Sequence, residues 1–242
     1  MLVLAIDTTN EHGGLAIYRE VDCLASIQNT GSTGFSVTLF QMLECALGDA
    51  GVKLSRPPLS LRDIDLFAVA NGPGSFTGIR TGVAAVQGWA TALQRPTQGV
   101  SILAAMANEC LPETEWAATI MDARRGEFYL GLFRRDSGGG GNAFKAEGEG
   151  VVLTADALRA FIEERMRPGA EVTCIIRDHD QAAQVIRSGL PESLRWKTIS
   201  GSLLGCIARL ALESHRHGKV QSPADLDALY IRRSDAELNW RL

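Results

Sequence analysis

Three groups of residues in this sequence are of types that handle phosphate. The first runs from Asn71 to Gly82: Asn-Gly-Pro-Gly-Ser-Phe-Thr-Gly-Ile-Arg-Thr-Gly. Gly72, Pro73 and Gly74 break an apolar run, Leu66 to Ala70, and Ser75 or Thr77 can accept from the first free amides of a following helix. Such a turn offers amides and a helix dipole to an anion. The same glycines equally suit a tight turn with close helix packing, and the Gly-x4-Gly-Lys-Ser/Thr signature is absent. The second group is Asp7, Thr8 and Thr9, which close the apolar run Leu2 to Ile6. A carboxylate at a strand end suits a metal or phosphate site, or it caps its own turn through an Asx hydrogen bond. The third is Asp122-Ala-Arg-Arg-Gly-Glu127, where Arg124 and Arg125 project from a turn. Exposed arginine pairs are either solvated surface or phosphate binders through their planar donor fork.

Other chemistry has little support in residue spacing. The histidines are His12, His179, His215 and His217, and no His-Glu-x-x-His or His-x-x-x-His pair occurs. No Gly-x-Ser-x-Gly elbow is present. Cys23, Cys45, Cys110, Cys174 and Cys206 are odd in number and form no Cys-x-x-Cys pair, which predicts reduced, buried thiols. The expected metal and catalytic residues are therefore none. With 242 residues, 45% hydrophobic content and a net charge of −4, the chain fits a globular protein with no whole-chain pull toward nucleic acid. The opening Met-Leu-Val-Leu-Ala-Ile predicts no signal peptide, and no apolar run reaches membrane-spanning length. The expected location is cytoplasmic.

The elements that position these groups are legible in the pattern. Leu2–Ile6, Leu15–Tyr18 and Val21–Gln28 predict three strands, followed by a helix capped by Ser36 and ending near Ala50. Its apolar face is Leu39, Phe40, Leu43, Ala46, Leu47 and Ala50, while Val37, Met42 and Cys45 interrupt the polar side. The helix after the glycine turn runs to about Gln94. It carries a small face of Gly78, Gly82 and Ala85 with Trp89 below, beside an ordinary apolar face of Ile79, Val83, Val86, Ala90 and Leu93. Interior glycines cost about 1 kcal/mol each against alanine, so something must approach that small face closely. Later strands are expected at Ala117–Met121, Glu127–Phe133 and Val172–Ile176, with helices at Ile102–Cys110, Thr154–Met166, Gln181–Arg187 and Leu203–Glu213. Ser137 to Asn142 is expected as a mobile loop.

The glycine stretch resembles the Gly-Pro-Gly-Ser-Phe-Thr-Gly-hydrophobic-Arg-x-Gly signature of the bacterial TsaB (YeaZ) family. Members of that family are subunits of the machinery that makes threonylcarbamoyladenosine in tRNA. The Asp-Ala-Arg-Arg-Gly-Glu-Phe-Tyr turn, the opening hairpin around Asp7 and the tail from Asp227 are also similar to it, whereas Phe35-Ser36 and Arg177-Asp178-His179 depart from it. The resemblance implies an α/β fold of two actin-like ATPase (ribonuclease H-like) subdomains, each a mixed sheet flanked by helices. The expected boundaries are 1–103 and 104–216, with a tail at 217–242 packing back on them.

It also implies a non-catalytic subunit that binds and stabilises a TsaD-like catalytic subunit. That partner would act with a TsaE-like ATPase on adenosine 37 of tRNA. The chain itself would need no cofactor, while the complex uses ATP and threonylcarbamoyl-AMP. In isolation the chain would form a homodimer. Asp7, Thr8, Thr9, Gly72, Gly74, Ser75, Thr77 and Gly78 are then a vestigial nucleotide or phosphate set. Val37, Phe40, Met42, Cys45, Gly78, Gly82, Ala85 and Trp89 are the expected partner interface, and Arg124 and Arg125 the tRNA contacts. Two alternatives stand beside this: a nucleotide-dependent enzyme or M22-like peptidase in its own right, and a homodimeric scaffold without a tRNA role.

Overall fold

The computed structural model describes residues 1–30, 33–136, 143–165, 171–187 and 194–232. The glycine-rich stretch 137–142, the end of the helix expected to reach Met166 and the tail around Trp240 lie outside them. The chain forms two units, residues 1–102 with 202–229, and residues 103–201 with 230–242.

The first unit is built on five strands: β1 (Leu2–Asp7), β2 (Gly14–Arg19), β3 (Asp22–Gln28), β4 (Leu66–Gly72) and β5 (Thr97–Ser101). Their order is β3-β2-β1-β4-β5. The first three strands are antiparallel, and β4 and β5 run parallel to β1. Val3 to Ile6 and Leu66 to Ala70 are fully buried on both faces, as strands covered by helices must be. Leu4, Ile6, Leu15, Ile17, Phe67 and Val69 share one core with helices α1 (Phe35–Lys53) and α2 (Phe76–Leu93). The smaller residues between them, such as Ala5, Ala16 and Ala68, are equally buried, and α6 (Leu204–Arg216) packs on these strands.

The second unit repeats that strand order. It contains β6 (Trp116–Arg124), β7 (Glu127–Arg135), β8 (Phe144–Ala146), β9 (Val151–Thr154), β10 (Val172–Arg177) and β11 (Arg195–Ile199). Read from β8, the sheet runs β8-β7-β6-β10-β11, with β9 paired to β7. Helices α3 (Ile102–Cys110), α4 (Ala155–Arg165) and α5 (Gln181–Arg187) complete the element order. Two mixed sheets flanked by helices make the fold α/β. No sequence repeat announces the shared strand order, because a sheet layout constrains burial pattern and not residue identity.

Several expectations are corrected. Residues 202–216 pack with the first unit, since α6 covers β1, β2, β4 and β5. Helix α1 begins at Phe35, and its N-cap is Gly34 with no side-chain cap, so Ser36 lies inside it. Met42 is buried and Phe40 is 61% exposed, the reverse of the face assigned from sequence. The buried positions Phe35, Leu39, Met42, Leu43, Ala46 and Ala50 follow one helical stripe, and Phe40 lies a full residue step off it. Cys45 is exposed, whereas Cys174 is buried with its thiol pushed up to about 12 by desolvation.

The outer edge of β5 is covered by the segment after α6. Thr97 and Gln221 exchange two backbone hydrogen bonds of 2.9 Å, and the Gln221 side chain accepts from Gly99 N at 2.9 Å. Leu226 enters the core, and the Leu229 amide donates to Asn71 O at 2.7 Å.

The helix glycines divide by environment. A Cβ on Gly78 would stand 2.0 Å from Thr8 O, whereas one on Gly88 would meet nothing within 4 Å. Gly78→Ala is therefore expected to lower stability by about 1–3 kcal/mol, the usual cost of forcing atoms into packed structure. Gly88→Ala is expected to raise it by about 0.4–1 kcal/mol. Urea unfolding of the two variants checks this; equal signs would refute the packing assignment.

Candidate functional site

The glycine turn and the end of β1 form one interlocked structure. Ser75 caps α2, its hydroxyl accepting from Gly78 N at 3.3 Å, and Thr81 donates to Thr77 O at 2.9 Å. The Ser75 amide donates to Thr9 O at 2.7 Å, and the Thr8 hydroxyl donates to Gly78 O at 2.7 Å. Gly74 has φ +157° and Gly72 φ +132°; the Gly72–Pro73 bond is cis. A Cβ on Gly74 would stand 2.5 Å from Thr9 O, and one on Gly72 would stand 2.5 Å from Leu229 O. Gly72 and Gly74 are thus required by their own chain.

Asp7 is 3% exposed. Its Oδ1 accepts from Thr9 N at 2.9 Å and from the Thr9 hydroxyl at 2.6 Å. This is the Asx-type turn that a strand-ending aspartate makes. Asp7, Thr8, Thr9, Gly74, Ser75 and Gly78 of the candidate phosphate set are therefore brought together in one joint, while Gly72 meets Leu229 and Thr77 is exposed. A phosphate cradle needs free amides and open space above the turn; here the Ser75 amide is bonded to Thr9 and the space beside Gly74 and Gly78 holds Thr8 and Thr9. The Ser75 amide and the space beside Gly74 and Gly78 thus serve the chain's own turn. Among the described residues, no three His, Cys, Asp or Glu side chains could share a metal ion, and no helix is long and apolar enough to cross a membrane.

The residues expected at a partner interface separate into two sets. Gly78 and Gly82 face Thr8, since a Cβ on Gly82 would stand 2.4 Å from Thr8 Oγ1. The close approach that this small face demanded is supplied by Thr8, just past the end of β1. Met42 is buried as well, and Ala85 and Trp89 are half-buried against the core. Val37, Phe40 and Cys45 remain exposed, Val37 at 71%. Phe40 and Trp89 meet edge to face with ring centroids 5.8 Å apart. The outward side of α1 and α2 also carries Gly48 and Gly88, beside which there is open space. Phe76, in the first turn of α2, is 44% exposed with the Arg80 guanidinium 3.8 Å above its ring.

Arg124 and Arg125 sit at the tip of the β6–β7 hairpin, where Arg124 pairs with Glu127. Arg124, Arg125 and Gly126 have φ of 67°, 59° and 75°. Positive φ at both central residues, Arg125 and Gly126, is what a primed hairpin turn requires. For a residue with a Cβ that conformation costs about 1–2 kcal/mol. The Asp122 carboxylate accepts from Arg124 N at 2.7 Å, and Asp180 accepts from Asp122 N at 2.8 Å. Arg232 donates to Ala123 O at 2.9 Å and pairs with Glu127. Sequence inspection missed the contributions of Asp180 and Arg232; separations of 58 and 109 residues leave no local signal for either bond.

If Asp7 serves only its turn, Asp7→Asn is expected to weaken the bonds to Thr9 and lower stability by about 1–2 kcal/mol. Activity of the assembled system should persist. Paired thermal melts and activity assays distinguish the cases: an unchanged melt with activity abolished would assign the carboxylate a ligand.

Comparison with known proteins bears on this geometry. The family model for "TsaD: tRNA N6-adenosine threonylcarbamoyltransferase" matches residues 30–194. The chain is 28% identical over 243 aligned positions to the tRNA threonylcarbamoyladenosine biosynthesis protein TsaB of Bacillus subtilis, covering 99% of this chain and 98% of that protein. To TsaB of Escherichia coli it is 32% identical over 141 positions, 57% of this chain and 58% of that one. The structure of YeaZ from Pseudomonas aeruginosa superposes with a TM-score of 0.74 at 24% identity, covering 95% of this chain and 99% of that chain, which supports the fold. The match over residues 30–194 spans well over half of the sequence, and the chain therefore belongs to the TsaD tRNA N6-adenosine threonylcarbamoyltransferase family, within which it is similar along its whole length to TsaB.

Proposed function

We propose that the chain is a non-catalytic subunit of the tRNA threonylcarbamoyladenosine machinery, which binds and stabilises a TsaD-like catalytic subunit. One observation carries this. Similarity to TsaB runs along the whole chain, yet the sequence holds no His-x-x-x-His pair of the kind that marks the metal-binding catalytic members. The bonded Ser75 amide and the filled turn weigh against an independent nucleotide-dependent activity. ATP and threonylcarbamoyl-AMP are then substrates of the complex, acting with a TsaE-like ATPase on tRNA in the cytoplasm.

The proposed contact surface is the outward side of α1 and α2 at Val37, Phe40 and Cys45, flanked by Gly48 and Gly88. Exposed apolar side chains beside glycines with open space suit close helix–helix packing across a subunit boundary. Without its partner the chain would use the same surface in a homodimer. Met42, Gly78 and Gly82 take no part, because they face the interior.

The direct experiment is threonylcarbamoyl transfer with the chain omitted and then restored. Transfer is expected to need the chain, and the chain alone, with or without added metal, is expected to give no product. Robust turnover by the chain alone would overturn the assignment. The surface is tested by Val37→Glu with Phe40→Ser. Val37 lies in the first turn of α1, where a carboxylate is favoured by the helix dipole, so circular dichroism should report an intact fold. Self-association by sedimentation and capture of the catalytic subunit should both weaken about tenfold, or about 1.4 kcal/mol. Unchanged values in both measurements would remove this face from consideration.

A further inference from the structure

We infer that the tip of the β6–β7 hairpin is a phosphate-binding element that engages the backbone of RNA. This rests on the proposed role in tRNA modification and deepens it by naming the contact.

Among the described residues, six other than glycine have positive φ: Glu20, Ser55, Gln94, Leu111, Arg124 and Arg125. Only the last two are adjacent. A hairpin tip of this shape is served without strain by Asn or Gly. Arginine has no conformational advantage there, and the Arg124 side chain is 87% exposed, so packing gives no reason for it. A strained conformation held by its surroundings is informative when the side chain it presents has chemistry to do.

The surroundings hold this tip firmly. Asp180 bonds the Asp122 amide, Asp122 bonds the Arg124 amide, and Arg232 bonds the Ala123 carbonyl. The register shift between Asp122 and Arg124 leaves Ala123 as the extra residue of the bulge, and bulges re-aim side chains. Asp180 is itself fixed, its second carboxylate oxygen accepting from Ala183 N at 2.9 Å in the first turn of α5.

The charges follow. Glu127 pairs with Arg232. Asp122 uses one oxygen on the turn, and its other stands 3.5 Å from Arg124 in an ion pair open to water. Such a pair is weak and exchanges readily for a stronger anion. Two arginines on a preorganised turn lose little freedom on binding and meet phosphate oxygens bidentately. The whole chain carries a net charge of −4, so attraction to RNA must come from a local element of this kind. An acidic protein segment is the competing occupant, and the test separates it.

The double variant Arg124→Asn/Arg125→Asn removes both charges and relieves the backbone, so its melting temperature should equal or exceed that of the parent. The complex of the full chain with its catalytic subunit is titrated with unmodified tRNA transcript by fluorescence anisotropy across a salt series. The variant complex is expected to assemble normally, to bind the transcript about tenfold more weakly at low salt, and to show a log–log salt slope shallower by about 2. Equal affinity and slope, with transfer still dependent on the chain, overturn the hairpin proposal alone. Lost assembly with unaltered RNA binding by the assembled fraction also overturns it and assigns the tip to a protein contact. Transfer that is indifferent to omission of the chain removes the parent reading and the hairpin proposal together.

Discussion

The first unit depends on a contact between backbone and backbone. The Thr8 carbonyl lies where the Cβ of residue 78 would be, and the Thr8 hydroxyl bonds the carbonyl of that same residue. Only glycine allows a helix to approach a strand end so closely. From this joint follow the cap at Ser75, the bond from its amide to Thr9 and the placing of α2 along β1, β4 and β5. The helix gives up propensity at Gly78 and Gly82, and burial of Ile79, Val83, Val86 and Ala90 beside them more than offsets it.

That joint explains how a sequence with the outward marks of a phosphate loop can use its glycines to hold its own turn. Glycines are needed wherever two backbones meet, and composition cannot say whether the second backbone belongs to the protein or the space to a ligand. Here both neighbours of the turn are residues of the same chain, Thr8 and Thr9 on one side and Leu229 on the other. Asp7 follows the same logic: its buried Oδ1 serves Thr9 twice.

The elements legible in the sequence were those whose signals are local. Continuous apolar runs gave β1, β4 and β10, and Ser75 with Gln94 bracketed α2. Strand β11 was not legible because Arg195, Lys197 and Thr198 are exposed on a sheet edge and leave no apolar pattern. β8 has three residues, too few for a period. The apolar pattern puts Phe40 on the buried face and Met42 on the polar side, whereas Leu39, Met42, Leu43 and Ala46 define the observed stripe. At the candidate site the residue set was legible but its state was not. Whether Gly78 meets a partner, a phosphate or Thr8 depends on a segment 70 residues away. Arg124 and Arg125 were visible as a pair, while the bonds that fix them, from Asp180 and Arg232, were not.

The covering of β5 by residues 219–229 has a consequence for how the protein is made. The first unit contains both residues 1–102 and residues 202–229, so its sheet edge, the α6 face and the support beneath Gly72 arrive only after the whole intervening unit has been translated. A chain emerging from the ribosome at about 5–20 residues per second displays β1 to β5 with one face bare for several seconds. Residues 103–201 need nothing downstream of them for their own sheet. The sheet of residues 103–201 can therefore form while the first unit still waits for residues 202–229, and the length of the intervening segment sets that exposed interval during synthesis.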